Sequence, residues 1–191
     1  MLQVAIIVGS TRDHRLADNV MQWVHHEAKS MSNWNVRVLD LKKLNLPVYH
    51  SETLPATMNE SYSETHVEAW SQAIKNADAF IFLTPEYNHG VPAPLKNALD
   101  WLYPEWADKP AGLIGYSTSP IGGARAIEHL RNILATLAVP TVRTGLTIGK
   151  AQEVISEDGV CNDETLQKVL HTEFEQLDAW GRAMLSLHKE M

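Results

Sequence analysis

VAIIVGSTRDHRLADNV, residues 4–20, starts with an unbroken apolar run, breaks at Gly9, and resumes with a different period. A short, β-branched, continuous apolar run over residues 3–9 predicts a strand buried on both faces. Beyond the break, Leu16, Val20, Trp23, Val24 and Ala28 recur at helical spacing, so residues 16–30 predict a helix with one apolar face. A doubly buried strand needs cover above and below, and a strand–turn–helix unit is how a parallel sheet supplies it.

The same unit recurs along the chain. Val36, Val38 and Leu39 predict a second strand ending at Asp40, and a helix follows from about Val67 to Asn76. ADAFIFLTP (77–85) predicts a third strand; residues 93–103 predict a helix with Leu95, Ala98, Leu99 and Leu102 on one side. AGLIGYSTS (111–119) is a fourth strand, Ala124–Leu137 a long helix, TVRTGLTI (141–148) holds a fifth strand, and Asp163–His188 is the last helix. Five alternations predict an α/β fold with crossovers between parallel strands. Five strands without a second half point to a flavodoxin-like, doubly wound five-stranded parallel sheet with helices on both faces, not to the six-stranded dinucleotide fold. LNLPVYHSETLPATMNESYS (44–63) carries two prolines and many polar residues and predicts a long loop of the kind that lies over binding sites.

The chain's 191 residues are expected to form one domain, residues 1–191, large enough to bury a core without disulfides or metals. No apolar run approaches the roughly 20 residues that span a bilayer, and the N-terminus lacks a basic region and a cleavage site. A lone cysteine, Cys161, forms no internal disulfide, and the expectation is a protein of the reducing cytoplasm, with no membrane partner. A net charge of -7 argues against nucleic acid as a partner while leaving room for a local cationic pocket.

In a doubly wound sheet, ligands bind beyond the carboxyl ends of the strands, so the turns after strands one, three and four should converge. GSTRDHR (9–15) offers a glycine for a tight turn, the Ser10 and Thr11 hydroxyls, and two forked cations, Arg12 and Arg15, ahead of a helix N-terminus. The lysine and second glycine of a nucleotide-triphosphate loop are missing, and GxGxxG occurs nowhere, so a single terminal phosphate fits better than a pyrophosphate. TPEYNHGVPAPLKNALDW (84–101) sets Tyr87 as an aromatic face and Asn88 as a donor and acceptor for a planar heterocycle. GYSTSPIGGARA (115–126) adds Ser117, Thr118 and Ser119, with Gly122 and Gly123 permitting close approach of a flat ligand. Each stretch also has a plain structural reading: a strand-to-helix connection with surface arginines, a proline-rich helix start, a glycine-rich linker.

Together the GSTR turn, LPVYHSE (46–52), residues 84–101 and GGARA (122–126) resemble the NADPH-dependent FMN reductase family, with its quinone, azo and chromate reductase relatives. The resemblance covers nearly the whole chain. It implies non-covalent FMN, NADPH or NADH as co-substrate, a small-molecule electron acceptor, and a homodimer or homotetramer with the site at a subunit boundary. It places Ser10, Arg12, Arg15 and the amides of Leu16 and Ala17 on the phosphate, Pro85, Glu86, Tyr87 and Asn88 along the isoalloxazine, and Tyr116 and Ser117 on the ring's other side. Many relatives carry Ser and Asn after the arginine; here Asp13, His14 and Arg15 stand instead, and Asp13 is expected to point to solvent.

The implied activity is a ping-pong oxidoreductase passing hydride from a nicotinamide through FMN to quinones, free flavin, azo compounds or metal oxyanions. The alternatives are a flavodoxin-like electron carrier with little turnover and a flavin-free binding module. Modest acidity and the resembling loops favour the enzyme. Hydride transfer requires no side-chain acid or base, so no catalytic residue is nominated, His89 included. The nine histidines show no ligand spacing, and no metal site is expected. Cys161, in EDGVCND, has no cation beside it to make it reactive. Trp23 and Trp70 are expected in the core; Trp101 and Trp106, with Leu95, Leu99 and Leu102, are candidates for a subunit interface.

Overall fold

The computed structural model describes residues 1–58 and 62–190, with side chains to residue 187. Strands β1 (Leu2–Val8), β2 (Trp34–Asp40), β3 (Ala79–Pro85), β4 (Ala111–Tyr116) and β5 (Thr141–Ile148) lie in the order β2-β1-β3-β4-β5, every pair parallel. Between and after them run α1 (Ala17–Lys29), α2 (Leu41–Leu44), α3 (Thr65–Lys75), α4 (Ala93–Asp100), α5 (Ala124–Thr136), α6 (Ala151–Val154) and α7 (Glu164–Glu190). This is the flavodoxin-like order. None of these helices is long and apolar enough to cross a membrane.

Strand β1 shows why its sequence is apolar throughout. Val4, Ile6 and Val8 join a core with residues of α1 and α7, while Ala5 and Ile7 join a second core with residues of α3, α4 and α5. Side chains alternate across a strand, so a sheet covered on both faces tolerates no polar phase. The chain runs from β1 to one neighbour, β2, and then crosses to the other, β3. The switch point therefore lies beyond Val8 and Leu83, which are paired in register.

Several boundaries differ from the sequence expectation. The helix expected over 93–103 ends at Asp100, and the fourth strand stops at Tyr116 because Ser117–Ser119 turn onto β5: Ser117 N donates to Ile148 O at 3.1 Å and Ala151 N to Ser117 O at 3.0 Å. Helices α2 and α6 are single turns that no periodicity marks. The 44–63 stretch starts in α2 and then runs as coil with one 3₁₀ turn, Pro55–Thr57; its residues 59–61 lie outside the described residues. Asn97 and Trp101 pin it to α4: Asn97 Oδ1 accepts from Tyr49 N at 2.8 Å, and Trp101 Nε1 donates to Pro47 O at 2.7 Å.

Trp23 and Trp70 are buried, as expected. Trp101 and Trp106, with Leu95, Leu99 and Leu102, are core residues and not interface candidates. Trp106 meets Trp70 and Phe80 edge-on, with ring centroids 5.6 and 5.1 Å apart. Such a cluster removes the rings from any partner's reach.

Between β4 and β5 the register slips: Ala111 faces Thr141 but Leu113 faces Gly145, so two steps along β4 match four along β5. Glu173 of α7 is buried beside this bulge, its Oε2 accepting from Leu146 N at 3.1 Å and its Oε1 without a partner among the described residues. Burial pushes this carboxyl from its ordinary 4.5 up to about 8, against the opposing pull of the Leu113 and Leu146 amides and of Arg131. A proton held by the folded chain and lost by the unfolded one stabilises the fold at low pH. That stability is lost as pH rises toward and through about 8. Glu173→Gln is expected to flatten this dependence, melting roughly 4–8 °C above the wild type at pH 9, equivalent to about 2 kcal/mol, with little difference at pH 5. Calorimetric melts across that range check it; parallel pH profiles for the two proteins would contradict it.

Candidate functional site

Gly9 closes β1 against its neighbours: its N–H donates to Leu83 O at 2.9 Å, and a Cβ there would lie 3.0 Å from both Leu83 O and a Leu95 methyl. The next residue, Ser10, is buried, and its hydroxyl lies 2.9 Å from the Tyr87 hydroxyl. The turns after β1 and β3 therefore touch. Arg12 is exposed, with its guanidinium 6.0 Å from the Tyr87 ring centroid and no ion pair among the described residues. Helix α1 begins at Ala17, with Leu16 in the cap position offering no side-chain cap, and the Leu16 and Ala17 amides find no acceptor among the described residues. An uncapped helix N-terminus beside an arginine without an ion pair is an arrangement whose free donors and positive potential suit an anion. Asp13 turns outward to Lys42 Nζ at 2.7 Å, which holds its carboxyl below the usual range and keeps it off the turn.

Arg15 occupies a different position from Arg12. Its side chain is buried, and all five N–H donors of the guanidinium end on the protein. Nε and Nη2 reach Asp18 Oδ1 at 3.0 and 2.9 Å, Nη1 and Nη2 reach Asp40 at 2.9 and 2.6 Å, and Nη1 also donates to the Ser10 carbonyl. Burial opposes the charge, but the hydrogen bonds to Asp40 and then Asp18 outweigh it and raise the pKa. Asp40, also the cap of α2 through Lys42 N at 3.0 Å, is a residue the sequence reading passes over. Its place at the carboxyl end of β2, next to β1, was the available signal.

After β3, Pro85 is buried at the strand end, and Tyr87 and Gly90 exchange two backbone hydrogen bonds of 3.1 and 3.0 Å. The central residues of that turn, Asn88 and His89, both have positive φ, +50° and +67°. Two non-glycine residues held in the left-handed region at an exposed tip are a strained arrangement of the kind that clusters at ligand sites. Glu86 points the other way, into the start of α5, where it pairs with the Arg125 guanidinium and accepts from Arg125 N at 3.1 Å. Burial works against its ionisation, yet Arg125 and the first amides of α5 prevail and hold the carboxyl below its usual range. The Glu86 carboxylate thus binds turn to helix, and only its backbone remains for a ligand.

The turn after β4 is chiefly self-contained. Ser117 Oγ lies 3.0 Å from both Ser119 O and Ser119 Oγ and accepts from Gly122 N at 3.2 Å. The close approach that Gly122 and Gly123 permit is to the protein's own backbone: a Cβ on Gly123 would lie 2.7 Å from Tyr116 N, and one on Gly122 2.7 Å from Gly149 N. Tyr116 packs with Ile114, Ile148 and Ala17 on the α1 side of the sheet, beneath the first turn. Among the described residues no group of three or more histidines, cysteines or carboxylates is placed to hold a metal.

Residues 2–153 match the model of a family described as NADPH-dependent FMN reductase. Among curated relatives, the NAD(P)H-dependent FMN reductase ntnL of Nectria sp is 35% identical over 175 residues, 86% of either chain. The 2-hydroxy-1,4-benzoquinone reductase of Burkholderia sp is 31% identical over 189 residues, 95% of this chain and 97% of that one. Among solved structures, the flavoenzyme NAD(P)H:(acceptor) oxidoreductase FerB from Paracoccus denitrificans superposes with a TM-score of 0.77 at 29% identity, covering 97% of this chain and 98% of its own. Matches of this length run through both touching turns and the whole sheet, and the chain belongs to the NADPH-dependent FMN reductase family.

Proposed function

We propose that the protein is an FMN-dependent NAD(P)H oxidoreductase acting on small-molecule acceptors. The observation that carries this is the contact of the turns after β1 and β3 at the switch point, with Arg12, which has no ion pair among the described residues, and the uncapped start of α1 in the same turn. The residues present fit the cofactor's tail: Arg12, Ser10 and the Leu16 and Ala17 amides are donors without a committed anion. Arg15 belongs behind them, fixing the Ser10 carbonyl and neutralising two carboxylates that would otherwise repel a phosphate. Pro85, Tyr87, Asn88 and the Glu86 backbone line the place for the flat ring.

When bound, FMN would supply the redox chemistry linking NADPH or NADH to a quinone, free flavin, azo compound or metal oxyanion, with a ping-pong order. The chain's part is to bind, to orient, and to aim fixed backbone dipoles at the ring. Self-association into a dimer or tetramer finds exposed apolar candidates at Val48 and Leu54 beside the site and at Trp180 on α7, since Trp101 and Trp106 are inside. Light scattering that returns a monomer mass at every concentration would exclude it.

The purified protein is expected to take up FMN and to be bleached rapidly on stopped-flow mixing with NADPH or NADH. Failure to bind added FMN removes the proposal, and a yellow protein that neither nicotinamide bleaches is an electron carrier. Arg12→Ala is expected to raise the FMN Kd about 10–100-fold, the scale of one charge-assisted hydrogen bond to phosphate, while leaving the melting temperature within about 2 °C. Fluorescence titration with FMN checks the first part and thermal melting the second.

A further inference from the structure

The Tyr116 hydroxyl has no hydrogen-bond partner among the described residues, although the residue is only 3% exposed. An unpaired buried hydroxyl destabilises a fold, and one at a ligand site calls for a reason. Its surroundings locate it. Burial pushes the phenol's pKa well above its ordinary value, Tyr87 and Asp18 adding to the effect, while Arg15 and the Ser10 hydroxyl oppose it. Tyr116 therefore lies on the α1 side of the sheet, beneath the first turn and beside Ser10, whereas the resemblance sets it on the ring's other side. Ser10, meanwhile, shares a 2.9 Å hydrogen bond with Tyr87 in which either hydroxyl can be the donor.

Resting on the FMN reading above, we propose that Tyr116 is a positioning residue for the cofactor's phosphate, acting through Ser10. A hydroxyl has one proton and two lone pairs. With a phosphate at the α1 N-terminus, Ser10 donates its proton to a phosphate oxygen and accepts the Tyr116 proton, and Tyr87 lets go. The direction of this exchange follows from burial. Tyr87 is half-buried and can turn its hydroxyl to water or ligand, whereas Tyr116 has no such outlet. Before the exchange a buried phenol lacks a partner; after it, Ser10 is satisfied on both sides and so is Tyr116. The same motion frees the Tyr87 ring to settle against the ligand.

Tyr116→Phe tests this without any turnover. Removing an unpaired hydroxyl should leave the melting temperature of the apoprotein unchanged or higher, where a merely structural tyrosine would lower it. The FMN Kd should rise about tenfold while the Kd for riboflavin, which has the ring but no phosphate, stays the same. Inorganic phosphate should stabilise the wild-type apoprotein against heat and the variant less. The assignment is overturned by an unchanged FMN Kd in Tyr116→Phe, by equal losses for FMN and riboflavin, or by a lower apoprotein melting temperature. If the wild type binds no FMN at all, the proposed function fails. Phosphate then still decides the Tyr116 role, since equal protection of wild type and variant would remove it.

Discussion

Gly123→Ala is expected to lower the melting temperature by roughly 8–16 °C, the equivalent of about 4 kcal/mol in a domain of this size. Two independent causes act at that position. Its φ of +84° is one that a residue with a Cβ adopts only under strain, and the added methyl would sit 2.7 Å from Tyr116 N and 2.9 Å from the Gly115 Cα. Both neighbours are strand backbone, which cannot swing aside as a side chain does. Relief therefore requires β4 and the start of α5 to separate, and the Glu86–Arg125 clasp opens with them. Gly90→Ala is the matched control: there a Cβ would meet only His129 Nδ1 and Tyr87 O, each at an ordinary 3.8 Å. It should melt within about 2 °C of the wild type. A Gly123→Ala protein as stable as Gly90→Ala would show that the turn yields more easily than its packing implies.

Arg15→Met is expected to be the most damaging change near the first turn, affecting stability and cofactor affinity together. Methionine keeps the apolar stem but removes all five donors. Asp40, with a side chain only 10% exposed, is then left as a buried charge without its counterion. Breaking such a pair costs about 3–5 kcal/mol, or roughly 6–20 °C in melting temperature. The Ser10 carbonyl loses its anchor as well, and Asp18 in the first turn of α1 becomes an unshielded negative charge beside the phosphate position. The FMN Kd is expected to rise at least about 100-fold, against 10–100-fold for Arg12→Ala. Adding Asp40→Asn, which can still cap α2, should recover a good part of the lost stability. Thermal melts of the single and double variants, read as a cycle, measure the coupling. A coupling below about 0.5 kcal/mol would mean that the pair is no better than a surface contact.

The two arginines show where sequence reading stops. In GSTRDHR both are basic residues of one turn ahead of one helix, and nothing local separates them. What separates them is Asp40, twenty-five positions away in sequence yet next door in the sheet because β2 pairs with β1. Residue type foretells what a side chain can bind; only topology decides which partner reaches it first. Gly122 and Gly123 repeat the point. The close approach they permit was legible, but the backbone they admit belongs to β4 and β5. Strands β1 and β3 were legible almost to the residue, since burial on both faces leaves a continuous apolar run that few other structures produce. Helices α2 and α6 were not, because one turn is too short to display a period. Tyr116 could have been placed by parity: it stands two residues from Ile114, so both point to the α1 side.

The slipped register of β5 has a consequence beyond the burial of Glu173. This strand forms one margin of the sheet, where unpaired amides and carbonyls offer any passing extended peptide a template for aggregation. Here the template is already defaced. Arg131 fills the Val142 and Arg143 carbonyls at 3.0 and 3.4 Å, and Gln176 of α7 takes the Thr144 amide at 3.0 Å. The ladder groups a foreign strand would need are occupied by the molecule's own side chains at the point where its ribbon bends away.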